Sequence, residues 1–498
     1  MSLYSAGRPV LPRIVAVTPS SIRGRGISTS TLNTKPNPPQ RVEVCSNSTT
    51  SAQTLPAGEI KAAPETLAST VSPFSALPTA VLLRSLLIAT ISSKPYLLLP
   101  SLSALSFLCK PRAGLLLNVD RNPVLHSILK ATFYKQFCAG ETPDEVRSTV
   151  RQLANTGFQG TILTYAKETV FDAKTKMQVG LGVDAWGPGE EEGVEHTEAG
   201  GEAFCPQIEA WRKGTVETID LLGANDYLAL KLTGAGPSVT SAFSTGSLPP
   251  AQMLSALDEI STRCAAKGVR ILVDAESHHF LSGILRVTLD LMRKFNKDGH
   301  ARIYNTYQAY LKSTPATIAR HLQAASQEGF TLGLKLVRGA YIASDERSLI
   351  HDTKADTDTA YNGIARGVLC QQLGAFGTEK PFPSVELFLA SHNKESVMAA
   401  HALRQRRLKE GLPTVPLGFG QLHGMSDEVS FGLLALKNGG KEPMVYKCST
   451  WGGLGECLAY LVRRAVENRD AVGRTGNEYR ALTREVDRRI RGLFGLSR

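Results

Sequence analysis

The chain has 498 residues, 42% hydrophobic and 20% charged, an ordinary globular mixture with enough apolar material for a sizeable core. Its formal charge of +11 falls to +5 without Arg8, Arg13, Arg23, Arg25, Lys35 and Arg41, which all precede the first acid, Glu43. That remainder needs no polyanion, and no nucleic-acid-reading motif accompanies it, so a nucleic-acid partner is not expected.

The first 41 residues are rich in Ser, Thr and Arg and free of acid, the composition of a mitochondrial transit peptide. Residues 42–75 are polar and proline-containing, and read as a disordered linker. The apolar stretch 76–109 is interrupted by Arg84, Lys94, Pro95 and Pro100, which makes it a poor transmembrane span. It predicts two apolar helices at the start of a helical arm over 76–155, packed on the rest of the chain or resting on a membrane surface. The eight cysteines (45, 109, 138, 205, 264, 370, 448 and 457) have no paired spacing. That pattern fits a reducing compartment and argues against a disulfide framework or a zinc ribbon.

From residue 156 to about 490 the pattern is regular. Short apolar or β-branched runs recur at 161–166, 227–234, 270–277, 302–310, 332–339, 385–393, 417–424 and 443–450. Helix-length amphipathic segments separate most of them, and a helix from Gly453 to about Asn468 follows the last. Eight strands alternating with helices predict an α/β fold, a closed (β/α)8 barrel of TIM type with an N-terminal helical extension. One insertion, 187–204, is acidic and glycine-rich and reads as a solvated loop.

The polar residues of these runs gather at their C-terminal ends: Lys231, Asp274 and Glu276, Gln308, Lys335 and Arg338, Ser391 to Asn393, and Leu422–His423. In a barrel these positions share one mouth, where active sites are built. Any one of them alone reads as a loop ion pair, but so many polar groups around one mouth cost stability unless they meet a ligand. On the last helix, Tyr460, Arg463 and Arg464 share a face, and paired guanidiniums suit bidentate capture of a carboxylate. The competing reading of that face is a basic surface with Glu467 as partner.

The motifs DAE (274–276), NTYQAYLK (305–312), KLVRGAY (335–341), ASHN (390–393), QLHGM (421–425) and YLVRRAVEN (460–468) occur in this order. Together they resemble the proline dehydrogenase (proline oxidase) family of the mitochondrial eukaryotic type, over roughly residues 120–490. The resemblance implies a distorted barrel holding FAD in its mouth without a Rossmann domain, and no G-x-G-x-x-G follows a strand here. It implies oxidation of L-proline to Δ1-pyrroline-5-carboxylate, the first step of proline catabolism, by hydride transfer to the flavin. Electrons then pass to a membrane quinone, on the matrix side of the inner mitochondrial membrane, with a peripheral membrane contact.

By the same resemblance, Lys231, Arg463 and Arg464 grip the substrate carboxylate, Tyr460 packs on its ring and Leu422 forms an apolar wall. Asp274 and Lys335 are the catalytic pair of positions. Gln308, Lys335, Arg338, Gly339, Ala340, Ser391 and His392 surround the flavin, with Lys354 near its phosphates. The chain departs from the pattern at Lys335, where bacterial members carry Arg, and at Cys448, where many carry an active-site Tyr. Trp451 is a candidate to refill the second space.

Hydroxyproline dehydrogenase of the same family is the alternative. A metal-dependent barrel hydrolase is a weaker one, because the first strand run lacks an H-x-H pair although His278, His279, His392, His423 and Asp274 are available. A Schiff-base aldolase using Lys231 or Lys335 and a catalytically dead binding barrel are the remaining readings. No metal is expected.

Overall fold

The computed structural model describes residues 72–108, 118–165, 167–173, 175–181, 204–437, 440, 442–469 and 472–494. The expected transit segment, nearly all of the linker and the insertion up to residue 203 lie outside these residues.

Ten strands are described. They are β1 (Gly160–Tyr165), β2 (Glu168–Asp172), β3 (Met177–Leu181), β4 (Tyr227–Leu230), β5 (Arg270–Val273), β6 (Ile303–Gln308), β7 (Leu332–Val337), β8 (Val385–Ala390), β9 (Leu417–Leu422) and β10 (Met444–Trp451). All but β2 and β3 close into one parallel barrel in the order β1-β10-β9-β8-β7-β6-β5-β4, with β4 returning to β1. The eight strands are those expected from the sequence. The antiparallel hairpin of β2 and β3 is an addition.

Side-chain alternation sorts the barrel residues. One set faces inward, where Tyr227 meets Tyr446, Phe388 and Tyr304 edge-on at centroid distances of 4.9, 5.3 and 5.9 Å. This aromatic plug fills the barrel beneath the mouth. Its sequence signature is the repeated glycine of β9: a Cβ at Gly418 or Gly420 would lie 2.8 or 2.7 Å from the Phe388 ring. The other set faces the helices. The helix His278–Phe295, for example, buries Phe280, Ile284, Val287 and Leu291, apolar positions at helical spacing.

The arm consists of a 3-10 turn, the helices Thr79–Ser93 and Pro95–Leu108, which meet at a 100° bend, and shorter helices up to Pro143–Asn155. The terminal helix Val472–Leu493 ties the arm down. Arg489 donates to the carbonyls of Phe74, Ser75 and Leu77 at 2.7–3.2 Å, while buried Glu485 accepts from Arg488 and Arg489.

Two histidines, His321 buried and His423 partly buried, set an acid limit on this fold. Burial, reinforced by Arg320, pushes His321 down to about 4; burial and Lys447 do the same to His423. Both values lie below the unfolded ~6.5, so on acidification the unfolded chain takes up protons first. The stability these groups contribute is therefore present above about pH 6.5 and lost as pH falls toward 4, roughly 2 kcal/mol per histidine by pH 5. The urea midpoint should drop between about pH 7.5 and 5, and His321→Gln, which keeps an acceptor for the Tyr307 hydroxyl at 2.7 Å, should shrink that drop. An undiminished drop in the variant would remove His321 from the account.

Candidate active site

Asp274 is the first residue after β5, Lys231 the first after β4, and Lys335 lies within β7. The Asp274 carboxylate meets Lys335 Nζ at 2.6 Å and Lys231 Nζ at 3.3 Å. The three side chains are 19%, 12% and 13% exposed respectively. Strand β6 stands between β5 and β7, so the Asp274–Lys335 pair spans the barrel interior. Two ammonium groups around one carboxylate leave a net positive charge at the mouth, which suits an anionic ligand. Lys335 is the closer of the two lysines to Asp274.

Glu276 stands apart from this cluster, fully buried. One carboxylate oxygen accepts the Leu232 and Thr233 amides at 2.9 and 3.2 Å, and the other pairs with the Thr233 hydroxyl. It therefore fixes the turn that carries Lys231 instead of facing a ligand. Glu276→Gln replaces one acceptor by a donor, and charge-assisted hydrogen bonds of this kind are worth about 1.5–3 kcal/mol. If the chain acts as its family resemblance implies, the expected result is a substrate KM raised about tenfold or more, with flavin content unchanged. Equal KM in steady-state kinetics of the two proteins would refute the positioning role.

A second group forms around the end of β7. Arg338 donates to Asp358 at 2.7 Å, Ser391 at 2.8 Å and Ser396 at 2.9 Å, and its guanidinium lies 4.3 Å from the Tyr361 ring centroid. Burial pushes the Asp358 carboxyl up, but hydrogen bonds from Lys354 and Arg338 outweigh it and hold it below its ordinary range. Gly339 follows with φ +144°, and a Cβ there would lie 2.5 Å from the Tyr310 ring, so only glycine fits this turn. The Ala340 amide donates to Gln308 Oε1 at 3.4 Å. Lys354, 80% exposed, pairs with Asp358 at 2.5 Å and opens the helix Lys354–Leu369, whose N-terminus is closed by a Thr353–Asp356 capping box. His392 Nε2 accepts the Leu422 amide at 3.1 Å. This fixes a neutral ring with the proton on Nδ1, and links a proposed flavin neighbour to a proposed substrate wall.

The structure corrects two expectations, those for His423 and Trp451. His423 turns away from the mouth: its Nδ1 lies 3.1 Å from Ser449 Oγ, behind the β9–β10 wall. Trp451 does not refill the space at Cys448. Its indole donates to Thr218 of the helix Pro206–Asp220 at 3.0 Å, toward the helix layer, whereas Cys448 packs against the inward cluster. His279 stacks on Phe171 at 3.9 Å, and among the described residues no group of three His, Cys, Asp or Glu is placed to hold a metal. Tyr460 is half-buried on the helix Leu454–Arg469. The side chains of Arg463 and Arg464 lie outside the described residues.

The hairpin escaped the sequence reading. Thr169 exchanges hydrogen bonds with Thr233, the Phe171 amide donates to Ser277 Oγ at 3.1 Å, and the Ala173 amide donates to the Ser344 carbonyl at 2.8 Å. It thus lies across the chain just past β4, β5 and β7. The run of Thr169, Val170 and Phe171 before the polar AKTK stretch was the available signal.

Three comparisons bear on this site. A family model described as proline dehydrogenase matches residues 146–477. The hydroxyproline dehydrogenase of Mus musculus is 33% identical over 391 residues, spanning 74% of this chain and 83% of that protein. The probable mitochondrial proline dehydrogenase of Schizosaccharomyces pombe is 29% identical over 446 residues, spanning 82% of this chain and 87% of the relative. Among solved structures, proline utilization A from Bdellovibrio bacteriovorus, inactivated by N-propargylglycine, superposes with a TM-score of 0.55 at 16% identity. The match covers 80% of this chain and 40% of that longer protein, and it supports the barrel fold.

Proposed function

The chain belongs to the proline dehydrogenase family and is an oxidoreductase, and from that premise we propose that it oxidises L-proline to Δ1-pyrroline-5-carboxylate with FAD as cofactor. The observation that carries the reading is the Asp274 carboxylate held between Lys231 and Lys335 at the barrel mouth. In this reading Lys231 faces the substrate carboxylate, with Arg463 and Arg464 as further candidates.

The surroundings fit a flavin. Lys335 and Arg338 gather positive charge at this mouth, which would stabilise the negative charge of a reduced isoalloxazine. When bound, FAD supplies the hydride acceptor. The remaining work falls to the chain: Lys231 orients the carboxylate, Leu422 and Tyr460 wall the ring, and Asp274 keeps both lysines charged. The substrate amine must give up its proton at binding or in step with hydride loss.

Hydroxyproline is the second reading. It is favoured by the name of the mouse relative and by Cys448, smaller than Tyr, packed on the inward side of β10. In either case the reading includes a mitochondrial address before residue 42, supported by relatives named mitochondrial. It also includes electron transfer to a quinone at the matrix face of the inner membrane. The exposed Leu83, Leu87, Tyr96 and Leu99 of the arm support peripheral contact.

Anaerobic mixing of the purified chain with each amino acid tests the reading. Bleaching of a flavin spectrum by proline supports it, and faster bleaching by hydroxyproline selects the alternative. A colourless protein inert to both, even after FAD is added, would discard it.

A further inference from the structure

Behind the β9–β10 wall, away from the mouth, lies a cavity of about 420 Å³, within the size range of small-molecule sites. It is a half-open cavity lined by the helices Thr79–Ser93 and Pro143–Asn155, the segment 134–140, the residues following β9, and Lys447 of β10. Its apolar wall includes Val81, Leu153, Phe158 and Phe431. Its charges are unevenly matched. Glu145 is taken by Lys130 at 2.8 Å and Asp427 by Lys447 at 2.7 Å. Arg84 and Lys135 remain as lining cations with no ion pair to any described residue.

Arg84 is the built element. Gln136, 3% exposed, accepts Arg84 Nε at 3.0 Å and is itself fixed by Ser85 Oγ at 3.1 Å and the Gly424 carbonyl at 3.2 Å. Only Nε of the guanidinium is bonded to a described residue, so the donors of its two terminal nitrogens are left over. Burial lowers the Arg84 pKa below its ordinary value, with Asp427 opposing, as for a cation short of partners. A guanidinium held by its Nε beside the apolar wall of a mixed polar and apolar cavity matches a carboxylate joined to an apolar body.

We propose that this cavity is a binding site for a small monocarboxylate with an apolar chain, its carboxylate on Arg84 and its chain against Val81, Leu153, Phe158 and Phe431. The site is separate from the proline pocket and does not depend on that reading.

The test is calorimetric titration of hexanoate into the full chain, with and without saturating tetrahydro-2-furoate, the ring-oxygen analogue of proline. Wild type should bind hexanoate in both conditions. Arg84→Met should weaken binding about tenfold or more, the worth of a charge-assisted hydrogen-bond pair, while proline turnover stays at the wild-type level and so reports an intact fold. Arg84→Lys, which keeps the charge and loses the fork, should fall between. No hexanoate binding by wild type, equal affinity in Arg84→Met, or complete loss on adding the furoate would each overturn the proposal.

Discussion

Asp274→Ala is expected to lower kcat/KM for proline by about a hundredfold or more while flavin stays bound, because breaking a partly buried ion pair costs on the order of 3 kcal/mol. The loss has two parts. Lys335 and Lys231 lie 2.6 and 3.3 Å from the carboxylate, and without it two poorly solvated ammonium groups face each other. One relieves the repulsion by losing its proton or swinging to solvent. On the proposed reading, either response removes a cation from the flavin side or from the substrate carboxylate. A pure charge argument points the other way, since deleting an anion strengthens the field on a carboxylate. Positioning should win because both lysines are only 12–13% exposed and each has Asp274 as an ion-pair partner. Titration of tetrahydro-2-furoate, followed by the flavin spectrum, separates the two: weaker binding in Asp274→Ala supports positioning. Unchanged or tighter binding with lost turnover would make Asp274 a proton acceptor instead. Asp274→Asn, which keeps one acceptor oxygen, should fall between.

Arg338→Leu is the second large effect. The guanidinium joins the end of β7 to Asp358, Ser391 and Ser396 and covers Tyr361, tying the helices Lys354–Leu369 and Lys394–Lys409 to the mouth. Leucine keeps part of the volume and leaves Asp358 with only the exposed Lys354. Removing one partner of such a pair costs roughly 3–5 kcal/mol when buried, and less here because the side chain is 22% exposed. The adjacent Gly339–Ala340 turn loses its anchor, so flavin affinity should fall together with the urea midpoint. Arg338→Lys should rescue only part of both, since one ammonium cannot serve three acceptors in a plane and stack as well. Full flavin occupancy with an unshifted midpoint in Arg338→Leu would show the network to be incidental.

The barrel was legible in the sequence because its cause is local. Eight apolar, β-branched runs separated by helix-length amphipathic segments leave little besides a parallel sheet, and enough strands close it. The polar residues at the strand ends followed from the same register, and the order of six motifs carried the family resemblance. What the tertiary structure decided is partnership and direction. Asp274 and Lys335 are 61 residues apart on strands that are not neighbours, so their contact exists only through the closed interior.

Direction turns on single-residue parity. Leu422 and His423 are adjacent, as Cys448 and Trp451 are close, yet His423 and Trp451 face the helix layer because alternate side chains of a strand, and of its continuation, leave on opposite sides. Glu276 reads as a mouth carboxylate until the buried amides of Leu232 and Thr233 claim it, since unpaired backbone donors inside a protein must find an acceptor. Composition and spacing determine which elements form; which groups meet is decided where the barrel closes and buried charge and hydrogen-bonding capacity must be satisfied.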